Sequence, residues 1–326
     1  MHKIALLGAG RIGRIHAANA MARPDLTLSH VVDPFGGGAD ALAAETGAQV
    51  SSLEAVLADP SVEGVIVASS TDTHLDYSLQ AHAAGKAIFC EKPIDMDLAR
   101  ARGAADVLKG ARLFIGFNRR FDPNFLALKA RLDDGSAGEL ETLQITSNDP
   151  SPPPVAYVKV SGGLFKDMAI HDFDMARWLL GEEPAEVFAW GSCLVDPAIG
   201  EAGDIDTART VLKTASGKLC VIGNSRRSGF GYDQRIEAYG SAGMIRADNV
   251  VESTVQVWTE GGAQADRFQN FFLDRYKDAY VAEMAHFADV VSGTAKPAIG
   301  YADGVAALAL AEAAAESMRI GRPVKL

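Results

Sequence analysis

Through the first 118 residues, short apolar runs alternate with longer stretches whose apolar positions recur at helical spacing. The runs at 3–7, 26–32, 64–68, 86–90 and 113–117 are too short for helices and are bounded by Gly, Pro or polar residues, so they predict buried strands. The intervening stretches, from the glycines after residue 7 to about 22, then 38–46, 53–58, 75–84 and 97–109, predict helices. Strict alternation of this kind predicts an α/β fold with a doubly wound parallel sheet. The rhythm stops near Asn118, which sets the expected boundary between a first domain, 1–118, and a second, 119–326.

Beyond that boundary, 124–132 predicts a helix. The stretches 140–146, 187–195, 207–214, 218–224, 234–239, 244–247 and 254–258 predict successive strands separated by turn residues. Together they imply a mostly antiparallel sheet with one free face, a usual site of subunit association. The helices 276–291 and 303–320 close the chain. Asn148-Asp149-Pro150-Ser151-Pro152-Pro153-Pro154 reads as a rigid extended loop of the sort that covers a site or a partner surface.

Between that loop and the next strand, Gly162-Gly163 releases the chain into a stretch that predicts one helix to Leu180, with Gly181 as its stop. Ala169, Phe173, Ala176 and Leu180 make an apolar face, and Asp167, His171, Asp174 and Trp178 fall opposite. An aspartate and a histidine four residues apart project side by side. That face is either a solvated surface or one wall of an active site, and pairs of this kind are common on surfaces.

Composition narrows the choices. The chain has 326 residues, 48% hydrophobic and 22% charged, enough for two ordinary globular domains. A formal net charge of -11 argues against nucleic acid or an anionic membrane as main partner. The three cysteines, Cys90, Cys193 and Cys220, lack metal-binding spacing and read as buried free thiols of a reducing compartment. The early apolar run is cut off by Gly8, with Arg11 and Arg14 following, and no later run reaches membrane-spanning length, so the expectation is a soluble cytoplasmic protein.

The chemistry-bearing motifs sit at strand ends. Gly8-Ala9-Gly10-Arg11-Ile12-Gly13 is G-x-G-x-x-G between a first strand and a first helix, the context that dinucleotide binding requires. Gly8 permits the tight turn, Gly10 lets backbone approach a pyrophosphate, and Gly13 lets helix and strand pack closely. Asp33, twenty residues after Gly13, ends the second strand, where a carboxylate accepts from ribose hydroxyls and repels a 2′-phosphate. NAD is therefore expected over NADP. Ser70, Thr71 and His74 lie at another strand's carboxyl end, as nucleotide neighbours or, for Thr71 or Thr73, as plain helix caps. Glu91-Lys92-Pro93 places a lysine at the mouth of the sheet, where it can meet a substrate beside the nicotinamide; Pro93 biases Lys92 toward extended geometry.

Taken in order, the glycine turn, Glu91-Lys92-Pro93 and Gly162-Gly163-x-x-x-Asp167-x-x-x-His171-Asp172 resemble the Gfo/Idh/MocA oxidoreductase family from first strand to last helix. Closer markers are 116–123, Asn224-Ser225-Arg226-Arg227, 231–235 and 271–276. The resemblance implies a Rossmann domain followed by an α/β domain on an open, mostly antiparallel sheet, usually in a homotetramer. It implies NAD-linked oxidation of a ring secondary alcohol of a cyclic polyol to a ketone, with myo-inositol expected and scyllo-inositol or a pyranose sugar as alternatives. It makes Lys92, Asp167 and His171 the catalytic group, Tyr232, Asn118 and Asn148 substrate contacts, and Arg11, Ile12 and Glu91 members of the cofactor site. Asn148 stands where arginine is expected in close relatives, and Ser70 where proline is common. Two other classes compete: a metal-dependent hydrolase or isomerase using His171 with Asp167, Asp172 and Asp174, and a non-catalytic NAD sensor.

Overall fold

Strand β1 (His2–Leu7) is buried from Ile4 to Leu7 and lies at the centre of a six-stranded sheet in the computed structural model, which describes residues 1–34 and 38–326. Its partners are β2 (Leu26–Val32), β3 (Gln49–Val50), β4 (Val62–Val67), β5 (Ala87–Cys90) and β6 (Leu113–Ile115), in the order β3-β2-β1-β4-β5-β6 with every pair parallel. Strands buried on both faces need continuous apolar runs, which is what these are. The order reverses direction between β1 and β4, the switch point at whose carboxyl ends ligands collect in such sheets. A ladder of backbone bonds sets those ends side by side: Gly8 donates to Val32, Ala68 to Leu7, Glu91 to Val67 and Gly116 to Cys90.

Several expected bounds shift. The expected 97–109 helix is only Leu98–Gly103, capped by the Asp97 carboxylate and ended at a glycine that holds helix poorly. The last strand stops at Ile115 and passes into a 3-10 turn, Asn118–Phe121. Strand β3, two residues long, gave no periodic signal.

The second sheet has seven strands. β7 (Leu140–Asn148), β8 (Pro184–Ser192), β9 (Thr207–Thr214), β10 (Leu219–Ser225), β11 (Asp233–Gly240), β12 (Gly243–Ala247) and the terminal strand Val324–Lys325 stand in the order β12-β11-β7-β10-β9-β8 followed by the terminal strand. Only β7 and β10 pair parallel. Ile145, Val187, Leu212, Ile222 and Ala238 point to the buried face, while Trp190 and Tyr239 on the alternate face are 59% and 41% exposed. The expected strand at 254–258 does not join this sheet. Among the described residues Gln256–Thr259 pairs only with Gly262–Ala265, across a tight turn at 260–261, in a separate hairpin whose eight residues are all exposed and so offer no buried face to the larger sheet.

The described chain divides into two compact units, Met1–Phe121 with Ala279–Leu308, and Asp122–Asp278 with Ala309–Leu326. Among the described residues no helix is long and apolar enough to cross a membrane. Cys90 and Cys220 are buried free thiols as expected, but Cys193 is half-exposed, since it sits in the turn whose amides surround Asp206.

Candidate active site

Each glycine of the turn after β1 has its own physical reason. Gly8 has φ +102°, and a Cβ there would meet the Ala68 carbonyl oxygen at 2.5 Å. A Cβ on Gly13 would lie 2.0 Å from the Gly8 carbonyl oxygen. Gly10 has nothing within 4 Å of its Cβ position, so it faces open space at the start of the Arg11–Met21 helix. That helix has no side-chain cap at Gly10, and Arg11 and Ile12 open its first turn, so its leading N–H groups suit an anionic pyrophosphate. Asp33 accepts from the Ala9 N–H at 2.9 Å, which fixes its carboxylate beside the turn. These features fit a dinucleotide.

After β4, Ser70 is exposed and Thr71 half-buried in a 3-10 turn, Thr71–Thr73. Neither threonine caps the next helix by its side chain; the Thr73 hydroxyl donates back to the Ser70 carbonyl at 2.7 Å instead. His74 is buried, with Nδ1 2.8 Å from the Pro93 carbonyl and Nε2 3.1 Å from the Ser69 carbonyl. Burial pushes its pKa down against those two bonds. Its ring thus straps the turn after β4 to the segment after β5.

At the end of β5, Glu91 bonds to the buried His16 at 2.7 Å through Oε1 and accepts from the Lys92 N–H at 3.2 Å through Oε2. Burial pushes the Glu91 carboxyl up, but the His16 bond and nearby positive charge outweigh it and leave the pKa below its ordinary value. The Lys92–Pro93 peptide is cis, and Lys92 is half-buried. His16 was not singled out from sequence, although Gly13, His16, Ala17 and Ala20 make the buried stripe of its helix and so point it inward.

In the second unit the expected single helix has two parts. Phe165–Ala169 is a π-helical turn, and Ile170–Leu180 is the α-helix, stopped by Gly181 at φ 64°. The two-faced reading holds except at one position: Ala169, Phe173, Ala176 and Leu180 are buried and Asp167, His171 and Trp178 are half-exposed, but Asp174 is fully buried, as is Asp172. Closing i to i+5, the π turn brings Asp172 round toward the side of Asp167. The end of β10 then takes both. Asn224 Nδ2 donates to Asp172 at 2.8 Å, and two residues on, Arg226 Nη2 lies 3.2 Å from Asp167 Oδ2. Arg226 stands just past the end of β10, which closes at Ser225. The Tyr157 hydroxyl donates to Asp167 Oδ1 at 2.8 Å. Asp167 is thus clamped one turn ahead of His171. Among the described residues no group of three His, Cys, Asp or Glu is disposed to hold a metal ion.

Asn148, the last residue of β7, donates to Asp233 Oδ2 at 3.0 Å, so its amide is tied to the neighbouring strand. Tyr232 is buried, edge-on to the Tyr276 ring, after Gly231, whose φ of +124° and 2.8 Å approach to Phe268 exclude a side chain. Asn118 is buried in its 3-10 turn.

The relatives of this chain share its full length. Residues 2–117 match the model of the oxidoreductase family with NAD-binding Rossmann fold, and residues 125–246 that of the GFO/IDH/MocA C-terminal domain. An inositol 2-dehydrogenase of Rhizobium meliloti is 46% identical over 99% of both chains. A crystal structure of a myo-inositol dehydrogenase from Corynebacterium glutamicum superposes with a TM-score of 0.95 at 43% identity, covering 100% of this chain and 99% of that one. A scyllo-inositol dehydrogenase from Lactobacillus casei, solved with NAD(H) and scyllo-inositol, superposes with a TM-score of 0.92 at 27% identity over 100% and 99%. With its glycine turn, its Asp33 and both domains matched, the chain belongs to the Gfo/Idh/MocA family of oxidoreductases, with an NAD-binding Rossmann fold.

Proposed function

We propose that this protein is an NAD-dependent inositol 2-dehydrogenase that oxidises the ring alcohol of myo-inositol to the 2-ketone, in cytoplasmic inositol catabolism. The carrying observation is the 46% identity, over 99% of both chains, to an inositol 2-dehydrogenase. Residues 1–118 serve the cofactor, with Gly8, Gly10, Arg11, Ile12 and Gly13 at the pyrophosphate and Asp33 at the ribose. Residues 119–326 serve substrate binding and assembly. The exposed Trp190 and Tyr239 on the free sheet face support a homotetramer built through that face.

NAD supplies the hydride acceptor when bound. The protein must supply a proton acceptor and hold the reacting oxygen. His171 takes the hydroxyl proton, Asp167 steadies the cation so formed, and Lys92 donates to the oxygen as it gains carbonyl character. Lys92 as first acceptor with His171 as relay uses the same residues. Tyr232, Asn118 and Asn148 contact the substrate.

NADH formation with myo-inositol, scyllo-inositol and glucose tests the reading. Turnover fastest with myo-inositol is expected; NAD binding without NADH from any polyol would establish a sensor instead. Repeating the assay with NADP tests Asp33. Asp33→Ser is expected to weaken NAD roughly tenfold and to raise NADP turnover, because ribose acceptors and a repulsive charge leave together. An unchanged NAD to NADP ratio would remove Asp33 from the cofactor site.

A further inference from the structure

The proline-rich connection between β7 and the π turn is fastened at both ends to one ion pair. At its start, the Asp149 N–H donates to the Ser225 carbonyl at 2.8 Å, and the Asp149 carboxylate lies 3.8 Å from Arg226 Nη1. At its far end, in the short helix Val155–Val158, Tyr157 donates to Asp167. Arg226 is 1% exposed and spans Asp149 and Asp167 with its two terminal nitrogens. A guanidinium buried to that degree needs its carboxylates, and its planar fork suits two of them. Pro152, Pro153 and Pro154 stiffen the chain between the two fastenings, so a shift at one end is carried to the other.

We propose that Arg226, Tyr157 and Asp149 are positioning residues that latch the proline-rich loop onto Asp167, so that the loop and the catalytic aspartate are held as one unit. The proposal rests on the inositol dehydrogenase reading for what Asp167 does, but not for the latch itself. Tyr157 is 48% exposed, so its substitution tests the latch without opening the core.

Hydrogen exchange of the 149–161 segment and steady-state kinetics decide together. Tyr157→Phe is expected to raise exchange in 149–161 and leave the β9 and β10 amides as they were. It should lower kcat/KM for myo-inositol roughly tenfold, through both kcat and polyol KM, with the KM for NAD unchanged. A merely structural loss would scale activity with folded protein and leave the polyol KM alone. Asp167→Ala should raise exchange in the same segment, and adding Tyr157→Phe to it should raise it no further. Wild-type exchange in Tyr157→Phe overturns the latch whatever the activity. Loosened exchange beside a wild type inert toward every polyol keeps the latch and overturns the reading of the reaction.

Discussion

Replacing His171 with alanine is expected to cut kcat for myo-inositol oxidation by roughly 100- to 10,000-fold, the usual contribution of a positioned proton acceptor. The Kd for NAD should stay within about twofold, because the groups assigned to the cofactor all belong to the first 118 residues. His171 stands in the first turn of the Ile170–Leu180 helix, one residue before Asp172, which Asn224 anchors. The backbone that carries the imidazole is therefore fixed independently of the imidazole itself, and the variant should fold. Stopped-flow NADH formation and NAD titration on the same sample make the measurement. Because hydroxide can replace a lost base, residual turnover should climb with pH more steeply than in the wild type. Near-normal turnover, or a fall wholly explained by weaker NAD binding, would sink the assignment. Substituting Lys92 as well identifies the alternative route: if His171 only relays a proton from Lys92, Lys92→Ala alone should abolish the same pH-dependent limb.

What could be read from the chain beforehand divides by how local the physics is. The glycine turn was legible because φ +102° at Gly8 and the 2.0 Å approach at Gly13 admit no other residue, and such demands leave a mark in the sequence. The parallel sheet was legible because strands buried on both faces must be continuously apolar. The π turn was not: over a single turn, spacing of four and spacing of five leave the same pattern of apolar positions. Asp174 looked like part of a polar face, and nothing local showed how Asp172 could be buried: its partner, Asn224, lies fifty-two residues on in β10. Arg226 stood out only as part of a family marker, with no role, and Tyr157 not at all, since a cation or hydroxyl that serves a carboxylate elsewhere in the fold carries no local signature. The hairpin at 256–265 shows the converse, a locally correct strand preference with no sheet to join.

A buried carboxyl that feels the charge of Glu91 supplies the other large effect. Glu283, on the Lys277–Ser292 helix, is fully buried, with no hydrogen-bond partner on either oxygen among the described residues, and it feels the charge of Glu91. Burial and a nearby negative charge both disfavour the ionised form of a carboxyl. Glu91 has His16 and keeps its charge, so burial first and then Glu91 push Glu283 well above the ordinary carboxylate range. A folded pKa raised above the unfolded one fixes the sign. Below the unfolded value of about 4.5, both states hold the proton and the group is neutral to stability. As pH rises beyond it, the unfolded chain releases the proton while the folded chain keeps it, and unfolding gains about 1.4 kcal/mol per pH unit until the folded pKa is reached. Glu283→Gln keeps the shape and removes the titration. Its midpoint of thermal unfolding should match the wild type near pH 4.5 and then exceed it by roughly 2–4 °C for each further unit of pH. Parallel curves for the two proteins from pH 4.5 to 7.5 would mean that Glu283 ionises as freely in the folded protein as in the unfolded chain. Glu91→Gln separates the two causes: it removes the repelling charge but not the burial, so the slope attached to Glu283 should end at a lower pH rather than disappear.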